Sequence, residues 1–224
     1  MDAPILRCRD LCCRRPLWRQ GASCVRGISA AFDAGRFHAI CGPDGCGKNL
    51  LLHLLGLLEQ PDQGEVLFGD TDATRMDVPA RDALRQRHFG FLFPVCTLLP
   101  SLSVLENIAF SVLKAGGADE ERQAALTLAA LQFCGLEGEA DQPVSALAPD
   151  RRAAAAFARA VVHRPLVLIA ESPPGDDILV PLARRAVEEF GLTVVWGAAP
   201  GSLAAAEADR VLEMRGGELA AAAA

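Results

Sequence analysis

The chain has 224 residues, and 51% of them are hydrophobic, which is enough for one domain with a sizeable buried core. Its formal net charge of -6 argues against nucleic acid as a partner, because phosphate backbones are bound by basic patches. No apolar run reaches the roughly 18 uncharged residues that span a bilayer, and residues 1–10 carry charge without an apolar signal core. We therefore expect a cytosolic protein.

In the first half of the chain, short apolar runs between turn residues predict strands and one buried helix. The pattern predicts a strand at 37–41 that runs straight into a glycine-rich turn, and a helix over the apolar stretch 50–58. Further strands are predicted at 65–68 and at 89–93, the second of them after a charged stretch.

The middle of the chain has helical periodicity from about 103 to 135. The acidic run at 119–121 is expected to open a helix, because acidic side chains are favourable at a helix N-terminus, and Gly135 is expected to close it. We take roughly 95–150 as a helical subdomain.

After residue 150, predicted helices alternate with predicted strands. The helices are expected at 151–162 and 178–190, and the strands at 166–170, 193–196 and 210–214. Because strands that alternate with helices form parallel sheets, this half of the chain predicts an α/β fold with a parallel core.

A phosphate-binding loop follows the predicted strand at 37–41. The segment 42–49 fits the pattern G-x-x-x-x-G-K, but it ends in Asn49 where the pattern has Ser or Thr to bind Mg²⁺. Glycines let successive backbone N–H groups converge on phosphate oxygens at a helix N-terminus, and a lysine adds a positive charge. The predicted nucleotide-binding residues are Gly42, Pro43, Asp44, Gly45, Cys46, Gly47, Lys48, Asn49 and Leu50. A plain glycine-rich turn is the alternative.

Several further segments resemble ABC ATPases, in order and at the expected separations. They are LLHLLG at 51–56, PDQG at 61–64, FGFLF at 89–93, LLPSLSVLEN at 98–107, ARA at 158–160 and ADRV at 208–211. The resemblance is strongest to the lipoprotein-releasing and macrolide-exporter group. It implies one ABC ATP-binding domain over 1–224, with a P-loop NTPase fold, a mainly parallel sheet, an N-terminal antiparallel β portion and the helical subdomain at about 95–150.

The chain departs from this family at the residues that would act on nucleotide and metal. Glu171 stands where the family has the Asp linked to Mg²⁺, and Ser172 stands where it has the catalytic Glu. The resemblance therefore implies that Asn49 and Glu171 would be the metal contacts. Ser172 is not a plausible base near neutral pH, and losing a positioned base typically removes about 10² to 10⁴ in rate.

Other positions depart in the same direction. The sequence LAPDR at 147–151 replaces the family's LSGGQ, and we expect Asp150 to be a helix N-cap there. Pro94 replaces the glutamine of the Q-loop, and 197–200 contains no switch histidine. Arg15 falls near the position of the adenine-stacking tyrosine, and we interpret it as a solvated surface arginine.

These observations favour a nucleotide-binding subunit with weak or absent ATP hydrolysis. The resemblance implies ATP and Mg²⁺ as ligands, permease subunits and a second ABC ATP-binding subunit as partners, and a peripheral position at the inner face of the cell membrane. One alternative is a working ABC ATPase for lipoprotein or small-molecule export, and a remote one is a P-loop kinase outside transport. A thiol or metal protein built on Cys8, Cys12 and Cys13 is a further alternative.

Overall fold

The computed structural model describes residues 4–17, 21–94, 98–116 and 119–220. The strands of this part are β1 (Pro4–Leu17), β2 (Gly21–Asp33), β3 (Phe37–Cys41), β4 (Gln63–Phe68), β5 (Thr71–Asp72), β6 (Phe89–Leu92), β7 (Val167–Glu171), β8 (Thr193–Ala198), β9 (Arg210–Arg215) and β10 (Glu218–Leu219). The helices are α1 (Lys48–Leu55), α2 (Val78–His88), α3 (Val104–Ala115), α4 (Glu120–Cys134), α5 (Pro149–Val161), α6 (Asp176–Phe190) and α7 (Leu203–Glu207).

The strands form two sheets. The first is antiparallel, with the order β2-β1-β4-β5, and corresponds to the predicted N-terminal β portion. The second has the order β10-β9-β3-β8-β7-β6, and all its neighbours are parallel except β10 and β9. The alternation of helices and strands after residue 150 therefore predicted the parallel sheet correctly.

The central strands of the parallel sheet, β3, β7 and β8, are buried on both faces. Along β3, Phe37 and Ala39 belong to one hydrophobic cluster and Ile40 to the other, because successive side chains of a strand point to opposite faces. The first cluster includes side chains of α3, α4, α5 and α6, and the second includes side chains of α1 and the antiparallel sheet. Helices on one face and a second sheet on the other hold the parallel strands in fixed register.

Helices α3, α4 and α5 contact one another. Asp119 caps α4 by accepting a hydrogen bond from the Arg122 amide, and Gly135 ends it in a left-handed conformation, as predicted. The boundaries of the subdomain, at about 95 and 150, stay a prediction. No helix in the described ranges combines the length and the apolar character that a membrane crossing requires.

Helices α1 and α5 differ from their predicted bounds. Helix α1 begins at Lys48 rather than at residue 50, and it ends at Leu55, with Gly56 as its C-cap, rather than at residue 58. Helix α5 begins at Pro149 with Ala148 as N-cap, so Asp150 lies in the first turn and is not the cap. The reason is that proline fits the first helical position, where its missing N–H would be unpaired in any case.

Candidate functional site

The site lies at the carboxyl end of the parallel sheet. The glycine-rich loop leaves β3 at Gly42, β7 ends at Glu171, and β8 ends at Ala198. Cys41 pairs with Ala198 and Glu171 pairs with Gly197, so the three strand ends are neighbours. In open α/β sheets, ligands bind beyond the carboxyl ends of the strands.

The loop presents free amide groups at the start of α1. Within the described residues, the amides of Asp44, Gly45 and Gly47 donate to no acceptor of the chain, and α1 begins directly after Gly47. Unpaired N–H groups at a helix N-terminus attract anions. The arrangement is therefore suited to a phosphate group.

The turn between β9 and β10 contacts the phosphate loop. The Gly217 amide donates to the Cys46 carbonyl at 2.9 Å, and Cys46 itself is buried. Pro43, Asp44 and Gly45 form the exposed tip of the loop. Leu50 is buried within α1, so its side chain faces the core and it can offer a ligand only its backbone.

Lys48 is buried at the centre of the loop. Its Nζ donates to the carbonyl oxygens of Gly42 at 2.7 Å and Pro43 at 3.0 Å, and lies 3.9 Å from the Asp44 carboxylate. Its side chain is 6% exposed. A buried ammonium held by carbonyl oxygens is a fixed positive charge next to the free amides.

Glu171 is bound on both carboxylate oxygens by side chains of α1. The Asn49 amide Nδ2 donates to Oε1 at 2.5 Å, and the His53 Nε2 lies 2.8 Å from Oε2. The hydrogen bond to Glu171 raises the pKa of His53, although partial burial opposes this. We call Asn49, His53 and Glu171 the Glu171 clamp.

Sequence reasoning missed His53. In the sequence it interrupts an apolar helix four residues after Asn49, a spacing that places both side chains on one face of a helix. That spacing was the available signal. The Phe93 ring lies edge-on to the imidazole, with 6.4 Å between ring centroids, and further restricts its orientation.

Ser172 lies beside the clamp in a conformation that ties up its hydroxyl. Its Oγ donates to the Gly197 carbonyl oxygen at 2.8 Å. Its φ of 40° is in the left-handed region, which is unfavourable for a residue with a Cβ. The hydroxyl is thus bonded to β8 rather than free to contact a ligand.

The start of α5 differs from a glycine-rich helix N-terminus. Pro149 supplies no N–H, and the Asp150 side chain is exposed in the first turn. Arg151 forms an ion pair with Glu139, with 2.8 Å between Nε and Oε1, and also donates to the Gly135 carbonyl. This pairing lowers the pKa of Glu139 and joins α5 to the end of α4.

Arg15 keeps 33% of its side chain exposed, and its guanidinium is ion-paired rather than free in solvent. Its guanidinium donates to Glu59 at 3.1 Å, to Asp62 at 2.9 Å and to the Gln60 carbonyl at 2.6 Å. The bond with Arg15 is the main cause of the lowered pKa of Asp62. The Arg15 side chain lies against residues 59–62 because its planar guanidinium can bond both carboxylates at once.

The residues around Glu171 do not fit a bound Mg²⁺ well. Mg²⁺ requires a near-octahedral set of oxygen ligands, but both oxygens of Glu171 already accept hydrogen bonds and Asn49 turns its NH₂ group toward them. The hydroxyl of Ser172 already donates to the Gly197 carbonyl oxygen as well.

Other segments near the site add no side-chain ligand for a metal ion. These are Pro94, which is exposed, and the segment 197–200. Among the residues that the structure describes, no group of three His, Cys, Asp or Glu side chains could hold a metal ion, at Cys8, Cys12 and Cys13 or elsewhere.

Comparisons with known proteins agree with this geometry. The sequence model described as ABC transporter matches residues 25–174. The chain is 35% identical to the lipoprotein-releasing system ATP-binding protein LolD of Nitratidesulfovibrio vulgaris, covering 87% of this chain and 85% of that protein. It is 38% identical to LolD of Oleidesulfovibrio alaskensis, covering 81% and 80%.

Solved structures match over almost the whole chain. The dimeric bacterial ABC transporter cassette MJ0796 has a TM-score of 0.83 at 23% identity, covering 96% of this chain and 97% of that one. The same cassette bound to ADP and Pi has a TM-score of 0.82. The protein cbiO1 of Clostridium perfringens, part of the ABC transporter complex cbiONQ, has a TM-score of 0.86 at 22% identity, covering 98% of this chain and 88% of that one. These matches confirm the predicted fold class.

Proposed function

The chain belongs to the ATP-binding subunits of the ABC transporter family, and from this premise we propose that it binds ATP at residues 42–50 and hydrolyses it slowly or not at all. The observation that carries the proposal is a contrast within one site. The loop keeps its free amides and a buried Lys48, whereas Ser172 at the position of the base donates its hydroxyl to Gly197.

ATP binding is supported by charge and geometry. The amides at the start of α1 and the Lys48 ammonium, held by two carbonyl oxygens, converge on the space beyond the β3 end. A triphosphate placed there would accept hydrogen bonds from both kinds of donor. Weak binding of Mg²⁺ belongs to the same proposal, because Asn49 and Glu171 are bonded to each other.

Slow hydrolysis is supported by the missing proton acceptor. A general base must lie within hydrogen-bond reach of the attacking water and have a pKa near the working pH. The Ser172 hydroxyl satisfies neither condition, because it is neutral and already donates to a backbone carbonyl. Loss of such a base typically lowers the rate by about 10² to 10⁴.

The start of α5 supports the same proposal. A helix N-terminus can help to stabilise phosphate through its free amides. Here Pro149 removes one amide and Asp150 adds a negative charge. A phosphate presented by a second subunit would be repelled at this end of α5.

The proposed partners are permease subunits and a second ATP-binding subunit. They would hold the chain at the inner face of the cell membrane, and the relatives are named for a lipoprotein-releasing system. Leu105, Phe110 and Leu113 of α3 are exposed and apolar, which suits α3 for contact with a membrane subunit. The dimeric cassette among the structural matches supports pairing with a second subunit.

A working ATPase is the second candidate, because the relatives are named for a lipoprotein-releasing system. A P-loop kinase outside transport receives no support from any of these matches. The two remaining functions differ in turnover rather than in ATP binding. They can therefore be distinguished with purified protein.

The test measures ATP binding by calorimetry and steady-state phosphate release on the full chain. We expect binding that Lys48→Ala abolishes, and turnover below about 1 per second. The LolD protein of Nitratidesulfovibrio vulgaris, assayed in parallel, is the matched comparison. Lys48-dependent turnover at or above about 1 per second would favour the working ATPase. No binding of ATP would remove the nucleotide from the proposal.

A further inference from the structure

The negative charge of Glu171 is offset within the chain. Asn49 donates to one carboxylate oxygen at 2.5 Å, and His53 lies 2.8 Å from the other. The Glu171 side chain is 13% exposed, whereas Asn49 lies at the surface. Each oxygen of the acid thus has its own partner on α1.

This arrangement bears directly on the loop beside it. An uncompensated carboxylate near a polyphosphate would repel it, because like charges at short range disfavour the complex. In phosphate loops that end in Ser or Thr, a divalent cation bridges that hydroxyl and the acid of the neighbouring strand. Here an amide replaces the hydroxyl, and it is bonded to the acid directly.

A cation that approached Glu171 would meet a carboxylate whose two oxygens already accept hydrogen bonds. It would compete with Asn49 and His53 for Glu171, and the Ser172 hydroxyl is already bonded to Gly197. The contact between His53 and Phe93 further opposes movement of the imidazole. The site therefore disfavours the oxygen-rich coordination that Mg²⁺ requires.

We propose that residues 42–50 bind the metal-free nucleoside triphosphate. In this proposal Asn49 and His53 of the Glu171 clamp, rather than a divalent cation, offset the charge of Glu171. The inference rests on the proposed function, since it assumes that the loop binds ATP. It adds the ionic form of the ligand and a positioning role for His53. The imidazole holds Glu171 away from the phosphates and keeps its charge paired, while Lys48 and the loop amides bind the ligand.

Calorimetry with ATP, in EDTA and in excess Mg²⁺, tests the inference on the wild-type chain. We expect the dissociation constant in EDTA to be equal to or lower than that in Mg²⁺. Binding that is about tenfold tighter with Mg²⁺ would overturn the inference but leave ATP binding in place. No binding under either condition would overturn both the inference and the ATP binding proposed above.

Variants test whether the clamp is the cause. In Asn49→Thr/His53→Ala, a hydroxyl returns and Glu171 is released, so we expect Mg²⁺ to strengthen ATP binding by about tenfold. His53→Gln keeps an N–H donor and should retain wild-type behaviour. His88→Ala removes a histidine elsewhere and is the matched control. A double variant that stays independent of Mg²⁺ would overturn the role given to the clamp.

Mn²⁺ supplies a readout that does not depend on calorimetry or turnover. Its effect on water-proton relaxation increases when the ion is held by a large, slowly tumbling molecule. With ATP present, we expect no increase for the wild-type chain beyond that of Mn²⁺ and ATP alone, and a clear increase for the double variant. An increase for the wild type equal to that of the double variant would overturn the inference.

Discussion

Two glycines of the phosphate loop share a backbone conformation but have different surroundings. Gly45 has φ of 77° and Gly47 has φ of 103°, both in the left-handed region. A Cβ on Gly47 would lie 2.3 Å from the Cys24 carbonyl oxygen, whereas a Cβ on Gly45 would meet no atom within 4 Å. Only at Gly47 would a side chain collide with β2.

We therefore expect Gly47→Ala to be more damaging than Gly45→Ala. The Gly45 variant should lose about 1–2 kcal/mol of unfolding free energy, the cost of a left-handed residue with a Cβ. The Gly47 variant should lose on the order of 3 kcal/mol or more, because β2 must also move. Urea unfolding measures both values, and equal losses would contradict the collision.

The loop and the clamp also differ in how far the sequence could predict them. The loop could be predicted because its conformation depends on neighbouring residues such as Gly45 and Gly47. The clamp could not, because Glu171 is 122 residues from Asn49 and 118 from His53. Their contact depends on the position of β7 beside β8 in the folded sheet. A separation of that size leaves no local pattern.

At the scale of single elements, Asn107 fixes the segment that leads into α3. It is fully buried, and its Oδ1 accepts from the Leu99 amide at 2.7 Å. Its Nδ2 donates to the carbonyl oxygens of Leu99 at 3.1 Å, Leu102 at 3.3 Å and Ser103 at 2.9 Å. The side chain therefore supplies the partner of the Leu99 amide and adds a second donor to three carbonyl oxygens that already accept backbone hydrogen bonds.

Asn107→Ala should lower the unfolding free energy by about 2 kcal/mol, because it leaves the Leu99 amide without its hydrogen-bond acceptor. The comparison is Ser103→Ala, which removes the capping box of the same helix and should cost about 1 kcal/mol. Chemical denaturation of both variants gives the two values. If Ser103→Ala were the more damaging change, the helix cap rather than the buried amide would hold this segment.

Elements with local end signals could be predicted better than elements without them. Helix α4 was predicted from the acidic run and Gly135, and its caps are Asp119, the first residue of that run, and Gly135. The sequence of β1 shows only a general alternation of apolar and turn-forming residues, so the bounds of this strand could not be predicted. Its pairing with β2 is interrupted by register shifts between Cys8 and Leu11 and between Leu11 and Cys13. Such irregularities depend on the partner strand, which the sequence of β1 does not specify.

At the scale of the whole molecule, the sequence could predict a parallel sheet but not the order of its strands. The order β10-β9-β3-β8-β7-β6 places β3, which comes early in the chain, between two strands from its end. The predicted alternation of helices and strands is compatible with several orders. The choice among them is made by long-range contacts such as those of Asp209.

Asp209 joins three parts of the fold. Its carboxylate accepts two hydrogen bonds from Arg184 of α6, at 2.8 and 2.9 Å, and one from the Phe37 amide at the start of β3, at 2.8 Å. Asp209 itself immediately precedes β9. The Arg184 guanidinium is the main cause that lowers the pKa of this carboxyl from 3.8 to about 2.

Asp209→Asn should therefore destabilise the protein in a manner that depends on pH. A carboxyl with a depressed pKa contributes stability above its unfolded pKa of 3.8, and this contribution is lost as the pH falls toward its folded pKa of about 2. Allowing for solvent screening, we expect a loss of about 1–2 kcal/mol at pH 7 that shrinks steadily below about pH 4.

Urea unfolding at a series of pH values measures this difference, and Glu188→Gln is the matched control. Glu188 also lies near Arg184, at 3.8 Å, but its side chain is 66% exposed. Its removal should change the stability by less than about 0.5 kcal/mol at any pH, because exposed ion pairs contribute little. If Asp209→Asn matched the wild type at pH 7, the link between α6, β3 and β9 would contribute no stability, and apolar contacts alone would hold that edge of the sheet.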